Sequence, residues 1–340
     1  MSTLIGIVQR LSLVGASIVF VLTWSSGFVI AKIGTDEAPA LTVLVWRYIA
    51  VAGLLLIAIV AMRIRRPSAR LPRWRDVRPH LTIGVFAQFG YVVPIYVAVG
   101  AGVSSGTTAL IDAIQPLVVA TLAGPLLGLQ VRALQWVGLV LGAIGVALIV
   151  TADASSAVTP SPAYLLPLVA LASLVAGTFL ERRTSARLGV FATLTVHATV
   201  TLVGVTVLAF FAGVLQPPAS VAFWVSTLVL ALVPTLIAYG LYWYLLRRLG
   251  ITSLNALLYL VAPTTAVSGA ILFADPFTLA TGAGLVLGAV AVTLVILPGR
   301  SETGLVPAHP QVNPEANPEA HPEVQAATVI VTPEKIGVTK

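Results

Sequence analysis

Apolar runs of eighteen or more residues follow one another almost from end to end of this 340-residue chain, separated by short segments rich in Arg, Pro and Gly. Each run is long enough to cross about 30 Å of hydrocarbon. Lipid offers the backbone no hydrogen-bond partners, so such runs must be helices or the strands of a closed barrel. Barrel strands alternate polar and apolar residues over about ten positions, and these runs do not alternate. Charged residues make up 9% of the chain, where a water-facing surface needs about 25%. The chain reads as an all-α integral membrane protein embedded in a lipid bilayer.

Ten spans are expected: Leu11–Ile33, Ala40–Met62, Pro79–Val99, Ser105–Gly128, Leu134–Thr151, Ala163–Leu180, Leu188–Leu215, Ser220–Leu246, Ile251–Phe273 and Thr278–Leu297. With that count, 17 of the 19 Lys and Arg residues fall on one face, including the cluster from Arg63 to Arg78. The two exceptions, Lys32 and Arg47, lie within spans. The positive-inside rule then puts both termini in the cytoplasm of a multi-pass cell-membrane protein. The basic balance, net +7, is accounted for by this orientation and needs no nucleic-acid partner. Residues 298–340 change character to a Pro/Glu-rich segment containing NPEANPEAHPE, expected to be a disordered cytoplasmic tail because it lacks apolar mass to offset ordering.

The fifth and tenth spans repeat one another, as GLVLGAIGVALIV (Gly138–Val150) and GLVLGAVAVTLVI (Gly284–Ile296). Their offset of 146 nearly superposes Pro116 on Pro263, and Ser105 on Thr252. Two five-helix repeats are therefore expected, 1–151 and 163–297, joined by an external linker at 152–162. Five is odd, so the second copy would enter the membrane from the opposite side. Inverted repeats of this kind are a common construction of secondary transporters, with the solute site near the midplane between them. The pairs Gly138/Gly142 and Gly284/Gly288 have the small-xxx-small spacing of close helix packing.

Polar residues inside the spans supply the candidate binding residues. A charge near the bilayer centre costs about 2.5–3.5 kcal/mol on insertion scales, so Arg47 needs a partner or a wet cavity. Arg47 and Asp112 each lie seven residues into an inward-running span, about 10 Å deep at 1.5 Å per residue. They have opposite sign, and a buried pair between them is one expectation. The other is that Arg47 snorkels outward while Asp112 faces a cavity. Thr108 and Asp112 precede Pro116 at helical spacing, as Asn255 and Tyr259 precede Pro263. Both repeats thus present a polar face leading to a proline, either lining the solute path or bonding helices together. Gln115 adjoins the first of these prolines. Gln88, Tyr91 and Tyr239 accompany Pro94 and Pro234 in the third and eighth spans, and Trp24 and Ser25 lie mid-helix in the first. His197, midway in the seventh span, is either a proton carrier or a hydrogen-bonded structural residue.

At these positions the sequence resembles the EamA-type family of the drug/metabolite transporter superfamily. The resemblance is carried by WSSGFVIAK in the first span, WRY in the second, and the paired segments QPLVVATLAGPLLGLQVRALQWVG and APTTAVSGAILFADPFTLATGAG. It covers residues 10–297. It implies a ten-helix carrier of the cytoplasmic membrane, often an exporter of amino acids or related metabolites, and it brings no particular substrate with it. The family places an acid after the proline-containing segment of each repeat. Here Leu129 holds that place in the first copy and Asp275 in the second, so Asp275 is expected to be a helix-end feature.

Other classes fare worse. An intramembrane enzyme acting on lipid-linked substrates needs a nucleophile–base or metal constellation. The chain has no cysteine, and outside the tail only His80 and His197. A non-transporting assembly partner is a further alternative. Neither a phosphate-binding loop nor a nucleotide-binding domain is present, and no cofactor is expected.

Overall fold

The computed structural model describes residues 2–65, 72–127, 133–156, 162–184, 188–275 and 277–296. Every regular element among them is helical. The α-helices are α1 (Ser2–Glu37), α2 (Ala40–Arg65), α3 (Trp74–Gly84), α4 (Gly90–Gly100), α5 (Ser105–Ala113), α6 (Gln115–Leu127), α7 (Ala133–Ser156), α8 (Leu166–Arg183), α9 (Val190–Phe211), α10 (Val221–Leu232), α11 (Ala238–Phe273) and α12 (Leu279–Ile296). Among the described residues, seven helices are long and apolar enough to cross a membrane, and Leu257–Phe273 and Leu279–Ala291 are shorter apolar helices. Large apolar side chains such as Leu22, Leu56, Val203 and Phe211 point outward. In water such a surface would drive association; against lipid it is the favourable arrangement.

Helices cover the segments expected to span, seven of them at membrane-crossing length among the described residues, and several bounds differ from those expected. α1 extends to Glu37, four residues past the expected end, and α7 continues through Ser156 into the segment read as linker. The fourth span is broken: α5 stops at Ala113, a turn at Ile114 intervenes, and α6 starts at Gln115. Pro116 explains the break, since it has no N–H to give the Asp112 carbonyl four residues back. The third and eighth spans each contain a π-helical turn, Val85–Phe89 and Val233–Ile237. One offset, 148, carries the first onto the second. The seventh span ends at Phe211, and residues 212–220 are a loop opened by Gly213 at φ +71°.

Helical turns run through α11 without an intervening loop, yet the chain doubles back within it. Trp24 packs on Tyr242 with ring centroids 6.0 Å apart, while its neighbour Ser25 donates to the Val261 carbonyl at 3.2 Å. In a straight helix residues 242 and 261 would stand about 28 Å apart. Leu245 and Leu254 accordingly both pack in the cluster of Phe20 and Val21. The reversal contains the boundary expected between the eighth and ninth spans.

Ends are closed by specific partners. Ser104 caps α5 by accepting from the Thr107 N–H at 3.1 Å, and its own N–H reaches the Asp153 carboxylate at 3.2 Å. Asp275 does more than terminate a helix: it pairs with Lys32 of α1 at 2.7 Å and accepts from Ser105 at 3.3 Å. Three segments therefore meet at that carboxylate.

α7 and α12 pack antiparallel through glycines. A Cβ on Gly145 would lie 2.9 Å from the Gly284 carbonyl oxygen, closer than real side chains approach. The contacts come in exchanged pairs: Gly142 faces Ala291, and Gly145 faces Gly288. The offset of 146 maps 142 onto 288 and 145 onto 291, so each contact becomes the other when the helices swap places. Such self-complementary contacts are what a two-fold axis between the helices produces.

Candidate functional site

Two chambers adjoin one another within the helical bundle, sharing part of their walls. Trp24, Ala87, Gln88 and Tyr91 wall both. The π-turn at Val85–Phe89 supplies two of the four. A π-turn carries one residue more than an α-turn, and side chains beyond it are turned about the helix axis. Gln88 is thereby aimed inward, where it donates to the Tyr48 hydroxyl at 2.9 Å.

The narrower chamber is dominated by Arg47. Its Nη1 donates to the Tyr96 hydroxyl at 2.5 Å and its Nη2 to Thr235 Oγ1 at 3.0 Å. The guanidinium carbon also stands 5.5 Å from the ring centroids of both Tyr48 and Tyr96, within cation–π range. Thr235 belongs to the second π-turn and Tyr96 to α4, so one side chain ties α2 to both. This resolves the cost of the buried charge: Arg47 neither snorkels nor pairs with Asp112, but sits among hydroxyls and aromatic faces. Gly27 on α1 lets Pro234 of the second π-turn approach; a Cβ there would be 3.2 Å from the proline ring.

The wider chamber runs from Trp24 and Gln88 toward Glu181, Thr193 and Tyr242, the ends of helices that adjoin Arg182, Arg183, Arg247 and Arg248. Asp112 lines it, accepting from the Tyr91 hydroxyl at 3.0 Å. Its other carboxylate oxygen, Oδ1, is buried without a hydrogen-bond partner. Gln115 and Thr178 also line it, with Gln115 donating to Thr178 at 3.3 Å.

The structure thus gathers Trp24, Arg47, Gln88, Tyr91, Asp112 and Gln115 around one cavity. Three other candidates stand elsewhere. Thr108 is wholly buried and donates to the Ser104 carbonyl of its own helix at 2.9 Å. Ser25 ties α1 to Val261. Tyr259 donates to the Leu285 carbonyl at 3.1 Å and packs on Gly288, joining α11 to α12. The side chains of Tyr239 and Asn255 lie outside the described residues. Tyr48, Tyr96, Thr235 and Glu181 enter the walls unexpectedly. Tyr96 had a usable signal, since YVVPIY sets two tyrosines inside an apolar run; Thr235 and Glu181 had none beyond polarity. Among the described residues, no group of three or more His, Cys, Asp or Glu side chains gathers as a metal site would require.

Residues 11–151 match the model of the EamA-like transporter family. An Escherichia coli K12 protein named "Uncharacterized inner membrane transporter YedA" is 30% identical over 138 residues, 41% of this chain and 43% of that protein. The chain therefore aligns with less than half the length of that relative. A "Probable terminal-alkyne amino-acid exporter" from Streptantibioticus cattleyicolor is 29% identical over 304 residues, 86% of this chain and 94% of the other. A solved structure described as "Crystal structure of protein" superposes with a TM-score of 0.52 at 20% identity, covering 84% of this chain and 97% of that one. At that identity the likeness is one of fold.

Proposed function

We propose that this chain is a secondary carrier of the EamA-like kind that exports small metabolites, amino acids or related compounds, by alternating access. The observation that carries the reading is the paired chamber. Arg47, Tyr96 and Thr235 bind the elements together around its narrow end, while its wide end reaches toward the arginine-bearing helix ends. A chamber gathered at one end and wide at the other is the form one state of such a carrier takes.

The reading includes ten spans arranged as two inverted repeats, 1–151 and 163–297, joined outside by 152–162. The exchanged contacts of Gly142 and Gly145 with Ala291 and Gly288 support it. So does the common offset of the two π-turns. Both termini and residues 298–340 then lie on the cytoplasmic side of the inner membrane, and the wide end of the chamber opens to the cytoplasm. Trp24, Gln88 and Tyr91 stand where a solute would rest, with Arg47 available to an anionic group and Asp112 to a cationic one. The name of the Streptantibioticus cattleyicolor relative supports amino acids as the first class to test.

Proteoliposomes loaded with an amino-acid panel provide the test. Saturable efflux, accelerated by the same compound outside and lost in Arg47→Ala, is expected. A panel that moves no faster than from protein-free liposomes would overturn the assignment to amino acids and related metabolites.

A further inference from the structure

Outside the tail the sequence contains two histidines, and the fold brings them face to face. His80 on α3 and His197 on α9 have ring centroids 6.0 Å apart with planes inclined at 36°. Both are buried, at 3% and 8% exposure. His197 lines the wide chamber, and its Nε2 has no hydrogen-bond partner. Gly84, one turn beyond His80, admits this contact: a Cβ there would stand 3.2 Å from the His197 Cα. The ring is thus seated against α3 by close backbone packing, with one polar edge left over.

A packing role does not account for that edge. Buried ring nitrogens are nearly always bonded, because an unmade bond keeps the cost of losing water and gains nothing. Imidazole is also the side chain whose ordinary titration falls between pH 5 and 8. Two imidazoles facing each other can share one proton, directly or through one bridging water. A second proton would set like charges side by side and is opposed.

We infer that His80 and His197 form a single proton-binding site on the wall of the chamber, and that the proton it holds is a coupling ion of the carrier. The coupling part rests on the carrier reading above; the proton site does not. The helices contributing the two rings come from opposite halves of the chain, so their separation changes if the halves move against each other. Among the elements packed on α9, α2 brings Tyr48 and the first π-turn brings Gln88, which are bonded to one another. Across the chamber stand Tyr91 and Asp112, also bonded to one another, with Glu181 and Tyr242 toward its wide end. The other charges of α3, Arg75, Asp76 and Arg78, precede His80 and are exposed or half-buried.

The site exists at one end only. The offset of 148 that superposes the π-turns carries His80 to Leu228 and His197 back to Ile49, neither of which binds a proton. Proton exchange would therefore take place while the chamber is open at the histidine end.

The test uses the full chain in lipid nanodiscs, with imidazole nitrogens labelled and the tail histidines silenced as His309→Asn and His321→Asn. Two rings whose protonation is linked are expected, with the midpoint of either moved by several tenths of a pH unit or more when the other is replaced by Gln. Independent titrations, each unaffected by removing the other ring, would overturn the site. So would two rings that stay neutral at every pH at which the protein remains folded. Coupling is read separately, from thiol labelling at Thr193→Cys in this cysteine-free chain. The pH dependence of labelling should flatten in both His80→Gln and His197→Gln relative to the parent carrying the same thiol. An unchanged dependence in both variants would leave the titration to Asp112 or Glu181 and overturn the coupling. If the rings titrate as a pair while no solute moves, the carrier reading falls and the proton site stands.

Discussion

Arg47 and Asp112 are held by two tyrosines of the same helix, Tyr96 and Tyr91, rather than by each other. α4 stands between opposite charges at similar depth, with its two hydroxyls turned to different partners. Both charges line chamber walls, and Asp112 retains an unbonded Oδ1. A direct salt bridge would have neutralised both groups and left the chamber with little to offer a polar solute.

The Arg47 arrangement predicts a graded series. Arg47→Ala removes both bonds and should reduce transport by at least about 100-fold, on the order of 3 kcal/mol, the usual cost of truncating a buried charge-assisted contact. Arg47→Lys keeps the charge but has one compact ammonium in place of a fork reaching two hydroxyls, so activity well below the parent is expected. Tyr96→Phe should fall between parent and Ala. Equal rates for Ala and parent, with normal insertion, would show that the residue is only tolerated.

The Tyr91–Asp112 bond is testable without a substrate. A double-mutant cycle of Tyr91→Phe and Asp112→Asn, read by thermal unfolding in detergent, should give a coupling of about 0.6–1.7 kcal/mol, the range seen for hydrogen bonds between membrane helices. A coupling of zero would mean that the two side chains act independently.

Lys32 and Asp275 tie the end of α1 to the end of α11 at 2.7 Å. Either Lys32→Ala or Asp275→Asn should destabilise the fold by about 1–3 kcal/mol, because each leaves a part-buried charge unpaired. The exchange Lys32→Asp with Asp275→Lys should recover part of that loss. Recovery by no measurable amount would locate the effect in Ser105 or Phe273, which also touch this pair.

The α7–α12 contact should not accept side chains. Gly145→Leu and Gly284→Leu each force bulk into backbone contact, and overpacking of this kind costs about 1–3 kcal/mol or more. Gly15→Leu, where a Cβ meets nothing within 4 Å, is the control and should leave the melting temperature unchanged. Equal melting temperatures for all four chains would refute the close packing.

The proposed topology rests on the arginines alone and is checked by cysteine labelling. A cysteine at Ser68, within the Arg63–Arg78 segment, should resist an impermeant thiol reagent applied to intact cells and react after permeabilisation. Labelling from outside would invert the orientation and place the wide chamber mouth on the external face.

Much of the site was legible because burying a polar residue in lipid is costly wherever it occurs in sequence. Arg47, Gln88, Tyr91 and Asp112 stand out in apolar runs, and each lines the cavity. Thr108 and Tyr259 stand out equally and do otherwise, since a hydroxyl satisfies itself on a nearby carbonyl at little cost. Which polar residue faces a cavity depends on helix rotation. Two π-turns, invisible to a period of 3.6, set that rotation in the third and eighth spans. Asp275 was read from its position after a helix, whereas its partner Lys32 lies 243 residues away.

The class of the fold and the bias of its charges were determined by the sequence alone. Each is a one-dimensional consequence of transfer between water and hydrocarbon, residue by residue. The sequence also suggests an internal repeat, through the glycines shared by Gly138–Val150 and Gly284–Ile296. Tertiary structure decided the rest: the partners of Arg47 and Asp112, the reversal inside α11, and the meeting of His80 with His197. These are pairings between distant segments, chosen by the shape of facing helix surfaces and the rotation of each helix about its axis. Composition carries no record of either, since a rotation of one residue leaves hydropathy unchanged and turns a side chain by about 100°.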